Sequence, residues 1–308
     1  MPLSVVVMAG GMGKRMFSKK VKVLHPLLGR PMLDYVVDTA RGINPDVVVV
    51  VYGKKGQEIR GRYEGVRYAF QEEPRGTGDA VKVALKELND INGDVLVLSG
   101  DVPLIKKNTL LTLVDYHRRN KLDATLLTCE FDDPTGYGRI IRDGEVIKGI
   151  VEEADATPEI KKIREINTGI YVFRKDALES ALLKLKPDNV QGEYYLTDVI
   201  GIFVDEKRRV GGVKLRDKTE IKGVNTRKDL AEVEEILRQQ KLESLMLSGV
   251  RIIMPHTVYI EEEVEIGKDT VIYPFTIIKG KTKIGEDCRI GPFAVLDSCE
   301  VRDGEKVP

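Results

Sequence analysis

The chain has 308 residues, of which 42% are hydrophobic and 32% are charged, and its 49 Lys and Arg residues balance 49 Asp and Glu residues. A chain of this length and composition can bury the apolar surface of about two folded domains. Because the formal net charge is zero, the protein lacks the positive field that draws proteins to nucleic acid. We therefore expect no nucleic-acid partner.

The apolar segments are too short for a membrane protein. The longest uninterrupted one spans residues 47–52, whereas a helix that crosses a bilayer needs about 20 residues. The N-terminal apolar stretch has no basic region before it, so we predict a buried strand rather than an export signal. The three cysteines lie far apart and fit neither a disulfide framework nor a zinc site. The sequence predicts a cytoplasmic protein with no membrane partner.

The first part of the chain has the pattern of an α/β sheet. From residue 4 to about 130, short β-branched runs alternate with amphipathic stretches, as crossover helices between parallel strands require. The predicted strands are Ser4–Met8, Asp46–Tyr52, Val66–Phe70, Asp94–Leu98 and Ala124–Cys129. A helix is predicted from Pro31, a residue favoured at the first helical position, to Gly42, a favoured stop.

A glycine-rich loop follows the first predicted strand, in the segment MAGGMGKRM. Gly10, Gly11 and Gly13 leave backbone N–H groups free to approach a phosphate, and Arg15 and Lys22 add full positive charges. The spacing fits neither a dinucleotide fingerprint nor a Walker loop. The loop is therefore a candidate phosphate site of another kind, with an ordinary turn as the alternative.

Polar groups follow the third and fourth predicted strands. Gln71 and the Gly76-Thr77 backbone could read a pyrimidine edge, although Thr77 could equally cap a helix. Asp101 lies beyond the carboxyl end of its strand, where open α/β sheets bind ligands. A carboxylate beside a polyphosphate needs a cation between them, and hard oxygen ligands point to Mg²⁺. A helix cap is the alternative role for Asp101.

The segment from residue 138 to residue 247 completes the predicted first domain and its exit. Two alternating runs flank Asp143-Gly144, a strong hairpin signal that predicts a mixed sheet. Loops rich in Gly, Asn, Glu, Tyr and Thr follow, and such side chains hydrogen-bond sugar hydroxyls. Residues 226–247 have apolar positions at helical spacing without Gly or Pro, which predicts one long helix.

After Gly249 the periodicity changes to six. The aliphatic series is Met254, Ile260, Ile266, Ile272, Ile278, Ile284, Ile290 and Leu296. Three hexapeptides form one turn of a parallel β-helix, with each sixth side chain directed into its axis. We therefore predict three parts: an α/β domain over 1–225, a linker helix over 226–249 and a partial β-helix over 250–308. Because so short a solenoid exposes an open end, we expect either self-association or a chain cut from a longer solenoid.

Several strings together resemble the bacterial N-acetylglucosamine-1-phosphate uridylyltransferases, the GlmU family. They are AGGMGKRM, KVLHPL, GTGDA, GDVPL, DDPTGYGRI, INTGI, QGEYYLTD and GVN, followed by hexapeptides, and the resemblance covers residues 4–301. It implies a Rossmann-like domain with a mixed sheet, then a left-handed β-helix that trimerises. It also implies that UTP and N-acetylglucosamine 1-phosphate are joined, with release of pyrophosphate, for cell-wall and lipopolysaccharide precursors. The acetyltransferase part of such proteins is expected to be missing from this chain.

The resemblance also implies roles for individual residues. Mg²⁺ would be held by Asp101 and Asn225, and the triphosphate would be contacted by Arg15 and Lys22, the expected catalytic residues. The uridine would be held by Gly11, Gln71, Gly76 and Thr77. The pocket for the sugar phosphate would be lined by Gly138, Glu152, Asn167, Glu193, Tyr195 and Thr197. Lys14, Gly10, Pro74 and Ser99 depart from residues common in the family at those positions.

The expected chemistry is a direct in-line attack by the sugar phosphate on the α-phosphorus of UTP. An anionic nucleophile needs no general base, in keeping with only three histidines and no catalytic triad pattern. Two alternatives remain at this point: another sugar-1-phosphate nucleotidyltransferase, and a non-catalytic assembly module that senses a nucleotide sugar.

Overall fold

A computed structural model describes residues 1–308 of the chain. They form two compact units, Met1–Val23 with Leu33–Gly223, and Leu24–Met32 with Val224–Pro308. The inclusion of residues 24–32 in the second unit was not predicted from the sequence. None of the helices combines the length and the apolar composition that a bilayer span requires.

The first unit is built on one mixed sheet of nine strands. The strands are β1 Leu3–Met8, β2 Val47–Gly53, β3 Arg67–Gln71, β4 Asp94–Ser99, β5 Ala124–Glu130, β6 Arg139–Asp143, β7 Val146–Val151, β8 Glu165–Arg174 and β9 Val210–Leu215. The spatial order is β9-β5-β8-β4-β1-β2-β3, and β6 pairs with β7 and β8. Strands β1 to β4 run parallel, whereas β8 is antiparallel to β4 and β5. The predicted mixed sheet is confirmed.

Helices and short 3-10 turns connect these strands. The α-helices are α1 Met32–Gly42, α2 Thr77–Leu85, α3 Lys107–Arg119, α4 Pro158–Lys161, α5 Lys175–Leu182 and α6 Asp198–Asp205. The 3-10 turns are Lys14–Met16, Lys22–Leu24, Lys54–Ile59, Lys86–Leu88 and Lys218–Ile221. The predicted helix start at Pro31 is wrong by one residue, because Pro31 is paired with Pro26 in a short antiparallel hairpin that keeps it extended.

The central strands carry the core of this unit. Val5, Val6 and Val7 are fully buried, and so are most residues of β2 and β4, as expected of parallel strands covered on both faces. In the register of the sheet, Met8 lies beside Ser99 and Gly53 lies beside Gln71. The segments that follow β1, β3 and β4 therefore leave the sheet at one common edge.

The second unit contains a long helix and a β-helix. Helix α7, Arg227–Leu247, begins at Thr226, whose side chain forms a capping box with Asp229. Ten short strands then stack in three parallel columns. The first column is Arg251–Ile252, Val271–Ile272, Arg289–Ile290 and Lys306–Val307; the second is Tyr259–Ile260, Ile277–Lys279 and Val295–Asp297; the third is Glu265–Ile266, Lys283–Ile284 and Glu300–Val301.

The hexapeptide prediction is confirmed in the middle of the β-helix and wrong at its start. Met254 is 47% exposed and has a φ of 52°, because the 3-10 turn Pro255–Thr257 interrupts the first coil. Ile252 is buried instead. A second buried series at six-residue spacing was not noticed in the sequence, since its members are mostly polar: Thr270, Thr276, Thr282 and Cys288, all fully buried.

Candidate active site

A cavity of about 400 Å³ opens at the edge of the sheet where β1, β3 and β4 end. Seven of the residues that the sequence analysis assigned to ligands line it: Gly11, Lys22, Gln71, Gly76, Thr77, Asp101 and Glu193. Met12, Lys14, Pro74 and Ser99 line it as well. The cavity thus brings together, from distant parts of the first unit, groups that were selected from their chemistry or from the family resemblance.

Asp101 is the most strongly engaged carboxylate of the cavity. Its Oδ2 accepts a hydrogen bond from the ammonium of Lys22, and its Oδ1 accepts one from the Ser99 hydroxyl at 2.6 Å. The side chains of Lys22 and Asp101 are only 12% and 17% exposed. A cation is therefore already seated against this carboxylate, in a partly buried site where charge interactions are stronger than in water.

The glycine loop is shaped by close backbone contacts. Gly13 has a φ of 58°, and a Cβ on it would lie 2.7 Å from the Cβ of Lys22, so this position requires glycine. Arg15 does not line the cavity; it is exposed on the 3-10 turn Lys14–Met16. Lys14 of the same turn lines the cavity instead. The triphosphate role of Arg15 stays a prediction.

Gln71, at the end of β3, is nearly buried, with 5% of its surface exposed. Its amide nitrogen donates to the carbonyl oxygen of Gly76 at 3.2 Å and to the Asp79 carboxylate at 2.9 Å. The opposite end of the amide lies near Gly10, where an added Cβ would be 3.0 Å from Oε1. The amide is therefore held in one orientation at the wall of the cavity.

The start of α2 is joined to the segment 194–196 by three hydrogen bonds. The N–H of Gly78 donates to Tyr194 O at 2.8 Å, the N–H of Tyr194 donates to Arg75 O at 2.8 Å, and the N–H of Leu196 donates to the Thr77 hydroxyl at 3.0 Å. Gly76 has a φ of 111°, and a Cβ there would lie 2.5 Å from Tyr194 O. Thus the predicted uridine segment and the predicted sugar segment are in direct contact.

The predicted sugar residues form a connected group beside this junction. The Thr197 hydroxyl donates to Glu152 Oε1 at 3.0 Å, and a Cβ on Gly138 would lie 3.2 Å from Glu152 Oε2. The Asn167 N–H donates to Gly138 O at 2.8 Å. Its side-chain amide donates to the Tyr171 hydroxyl at 2.6 Å. Four of the six predicted sugar residues therefore lie together.

Burial gives this group unusual protonation properties. Burial raises the pKa of Glu152, and the nearby carboxylates of Asp198 and Asp155 raise it further. Burial likewise raises the pKa of Tyr195 to about 12. The Tyr195 hydroxyl is buried without a hydrogen-bond partner, which leaves it available to a ligand. Buried polar groups of this kind normally have a partner in the functional state.

The structure does not test whether Asp101 and Asn225 bind Mg²⁺. The chain contains no group of three or more His, Cys, Asp or Glu side chains arranged to hold a metal ion. Asn225 belongs to the second unit, where its N–H donates to Asp229 Oδ2 at 3.0 Å. Its role as a ligand stays a prediction.

Sequence reasoning missed the hydrogen bonds that two further residues make at the site. Ser99 stands two residues before Asp101 at the end of β4, and this spacing was the available signal. Asp79 lies eight residues after Gln71 in the first turn of α2, where an acidic residue is normally explained by the helix dipole. Only the fold shows that Asp79 faces Gln71.

Comparison with known families decides the relationship. The family model named Nucleotidyl transferase matches residues 4–244, and the model for bacterial transferase hexapeptide repeats matches residues 263–298. The chain belongs to the nucleotidyl transferase family. The hexapeptide match covers the middle coils of the β-helix, where the six-residue period is regular.

Within this nucleotidyl transferase family, the curated relatives include several proteins named Bifunctional protein GlmU. That of Caldanaerobacter subterraneus subsp. tengcongensis is 49% identical over 298 residues, 95% of this chain and 64% of the relative. That of Thermotoga sp. strain RQ2 is 46% identical over 306 residues, 99% of this chain and 67% of the relative. The chain thus resembles the GlmU proteins throughout and spans about two thirds of their length.

Two solved nucleotidyltransferase structures share the fold. A UDP-glucose pyrophosphorylase complexed with UDP-glucose superposes with a TM-score of 0.64 at 17% identity, covering 78% of this chain and all of that one. A candidate glucose-1-phosphate thymidylyltransferase of Bacillus anthracis, solved with sucrose, gives a TM-score of 0.59 at 20% identity, covering 76% of this chain and 94% of that one. At these identities the likeness concerns the fold alone.

Proposed function

We propose that this chain is a uridylyltransferase that joins UTP and N-acetylglucosamine 1-phosphate to give UDP-N-acetylglucosamine and pyrophosphate. The observation that carries the proposal is the single cavity in which Lys22, Asp101 and Gln71 meet. It offers a cation for phosphate, a carboxylate for a metal and an amide for a base. The likeness to GlmU proteins over 95–99% of the chain supports this assignment.

The chain's own residues have an electrostatic task in this reaction. Two anionic substrates must approach, and negative charge then increases on the transferring group and on the departing pyrophosphate. Lys22 is placed to neutralise that charge inside the cavity, and Lys14 and Arg15 lie on the adjoining loop. Because the attacking phosphate oxygen is already an anion, the site needs no general base. Positioning and preorganised charge are therefore the main sources of rate.

The cavity fits a magnesium ion that arrives with the nucleotide. Mg²⁺ usually binds through one or two carboxylates together with substrate phosphates and water, and the cavity provides one carboxylate, Asp101. This carboxylate already accepts a cation, the ammonium of Lys22. When bound, the metal would polarise the phosphates and reduce their mutual repulsion. Asp101 would hold it, beside the ammonium of Lys22.

We assign the sugar to the group around Glu152. Glu152 and Asn167 provide acceptors for hydroxyl and amide hydrogens, and the Tyr195 hydroxyl provides a further buried polar group. Glu193 lines the cavity. The direct contact between residues 76–78 and 194–196 supports a continuous path from nucleotide to sugar phosphate.

We also propose that copies of the chain associate through the β-helix, as a homotrimer. Phe275 and Phe293 of successive coils stack with ring centroids 5.2 Å apart and planes 7° apart. Both are more than half exposed, and Ile277 and Val295 beside them are exposed as well. A repeating apolar ladder on one face suits a symmetric contact between identical chains.

The function is tested by a panel of nucleoside triphosphates and sugar 1-phosphates, with pyrophosphate release as the readout. We expect the highest kcat/KM for UTP with N-acetylglucosamine 1-phosphate in the presence of Mg²⁺. Faster turnover of another nucleotide and hexose pair would replace the proposal with a related nucleotidyltransferase. No turnover of any pair, with UDP-N-acetylglucosamine still bound, would favour the non-catalytic assembly module.

A further inference from the structure

We infer that Asp79 is a positioning residue that sets base specificity by fixing the amide of Gln71. Both groups that contact the nitrogen end of this amide, the Gly76 carbonyl and the Asp79 carboxylate, can only accept hydrogen bonds in their ordinary state. The end facing them must therefore be the NH₂ group. The orientation follows from the partners themselves rather than from the placement of two similar atoms.

Fixing the nitrogen end also fixes what the side chain can offer to a ligand. Both hydrogens of the amide are engaged by the protein, at 3.2 Å and 2.9 Å. The remaining polar atom of Gln71 is Oε1, which accepts no hydrogen bond from the chain. At the cavity wall this amide is thus an acceptor and not a donor.

An acceptor at this position discriminates between pyrimidines. Uracil carries a hydrogen on N3, whereas N3 of cytosine has a lone pair. A uracil edge can therefore donate to Oε1, while a cytosine edge would place two acceptors against each other. A site built for a hydrogen bond rejects a ligand that leaves it unmade, because a buried polar group is then unsatisfied.

Asp79 prevents the side-chain amide of Gln71 from rotating. An unrestrained amide can rotate by half a turn and present NH₂ to cytosine. Here that rotation would place Oε1 against the Asp79 carboxylate and the Gly76 carbonyl, two repulsive contacts in a nearly buried setting. The Asp79 carboxylate fixes the amide more strongly than the Gly76 carbonyl does, because hydrogen bonds to charged groups are about twice as strong as neutral ones.

This inference rests on the proposed uridylyltransferase function, and the experiment separates the two. The kcat/KM values for UTP and CTP are measured for the wild-type chain and for Asp79→Asn, whose amide can donate to a rotated Gln71. We expect the UTP to CTP ratio to fall at least about tenfold in Asp79→Asn, the effect of losing one hydrogen bond to a charged group. Asp79→Glu, which keeps an acceptor-only group, is expected to retain most of the ratio.

Glu87→Gln is the matched control, since it removes one negative charge from an exposed position just after α2 and is expected to leave the ratio unchanged. Thermal unfolding of each variant shows whether it is folded. Should Asp79→Asn fail to fold, calorimetric titration of the wild type decides: CTP binding as tight as UTP binding overturns the inference. So does an unchanged ratio in folded Asp79→Asn. Absence of UTP turnover in the wild type would instead refute the proposed function.

Discussion

The ammonium of Lys22 is bonded to the carboxylate of Asp101, a residue 79 positions further along the chain. Each group completes the electrostatic environment of the other in a partly buried cavity. Removing one partner therefore leaves an uncompensated charge. Under the proposed function, Lys22 serves the phosphates and Asp101 the metal ion, so both groups are expected to be needed.

Replacing either member of this pair should abolish most of the activity. Loss of one preorganised charge typically reduces the rate by about 10²–10³, and we expect reductions of that size in kcat/KM for Lys22→Ala and Asp101→Ala. Pyrophosphate release measures the effect, and circular dichroism verifies the fold. Lys20→Ala removes a charge from an exposed lysine of the same loop and is expected to stay near wild type. Near-normal turnover in both site variants would remove the assignment.

Glu152 is expected to reduce stability at neutral pH, because the fold raises its pKa through burial. Below the unfolded-state pKa the group is protonated in both states and no penalty arises. As the pH rises through the folded pKa, the carboxylate must ionise in a buried site, and stability is lost. Glu152→Gln, which can still accept from Thr197, should therefore unfold at a higher Tm than wild type at pH 7–8.

The advantage of Glu152→Gln should shrink toward pH 4, where wild-type Glu152 is protonated. Because about 1 kcal/mol moves the Tm of a domain of this size by about 2–4 °C, scanning calorimetry across this pH range resolves the trend. The same variant should turn over more slowly, since it loses an acceptor for the sugar. A Tm difference that does not depend on pH would show that Glu152 is not penalised by burial.

Gly76 is required by the close approach of Tyr194. A methyl group there would meet a carbonyl oxygen at 2.5 Å, at a φ of 111°, so we expect Gly76→Ala to lower the free energy of unfolding by about 2–3 kcal/mol or more. Gly65→Ala separates the effect of the positive φ from that of the steric contact, because Gly65 has a φ of 68° but no neighbour within 4 Å. It should lose only about 1–2 kcal/mol. Urea unfolding measures the free energy of unfolding of both variants. Equal losses would argue against a destabilising contact between residue 76 and Tyr194.

The apolar ladder of the β-helix should control self-association. Phe293→Glu places a charge against the stacked Phe275 ring on an exposed face, and we expect this variant to be monomeric while its uridylyltransferase activity persists. Light scattering at micromolar concentration measures the change. Lys281→Glu alters charge at an exposed corner position and should leave the oligomer intact. A wild-type chain that is monomeric in this experiment would contradict the proposed trimer.

Local patterns were sufficient to predict much of the molecule. Val-rich runs predict buried parallel strands because a strand covered on both faces has no polar side to display. The signal at Asp143-Gly144 predicts a hairpin because glycine tolerates the positive φ of a tight turn, here 57°. The six-residue period of isoleucines predicts the β-helix, because every coil repeats the same inward position.

The six-residue spacing did not by itself predict which side chains of the β-helix are buried. Met254 continues the six-residue spacing, yet a local turn places it at the surface. Thr276 is polar and fully buried, and a Cβ added at Gly291 would lie 2.2 Å from its hydroxyl oxygen, so a neighbour 15 residues away helps to enclose it. Neither outcome follows from the spacing of the aliphatic residues.

The sequence by itself determined the classes of group available for chemistry: a glycine loop, a lysine, a carboxylate and an amide at the ends of strands. Those follow from residue type and from the rule that parallel strands deliver their carboxyl ends to one edge. Only the tertiary structure decided how the groups are paired, Lys22 with Asp101 and Gln71 with Asp79. The reason is that a hydrogen bond depends on distances of a few tenths of an ångström, which the packing of the sheet and its helices sets and no sequence interval encodes.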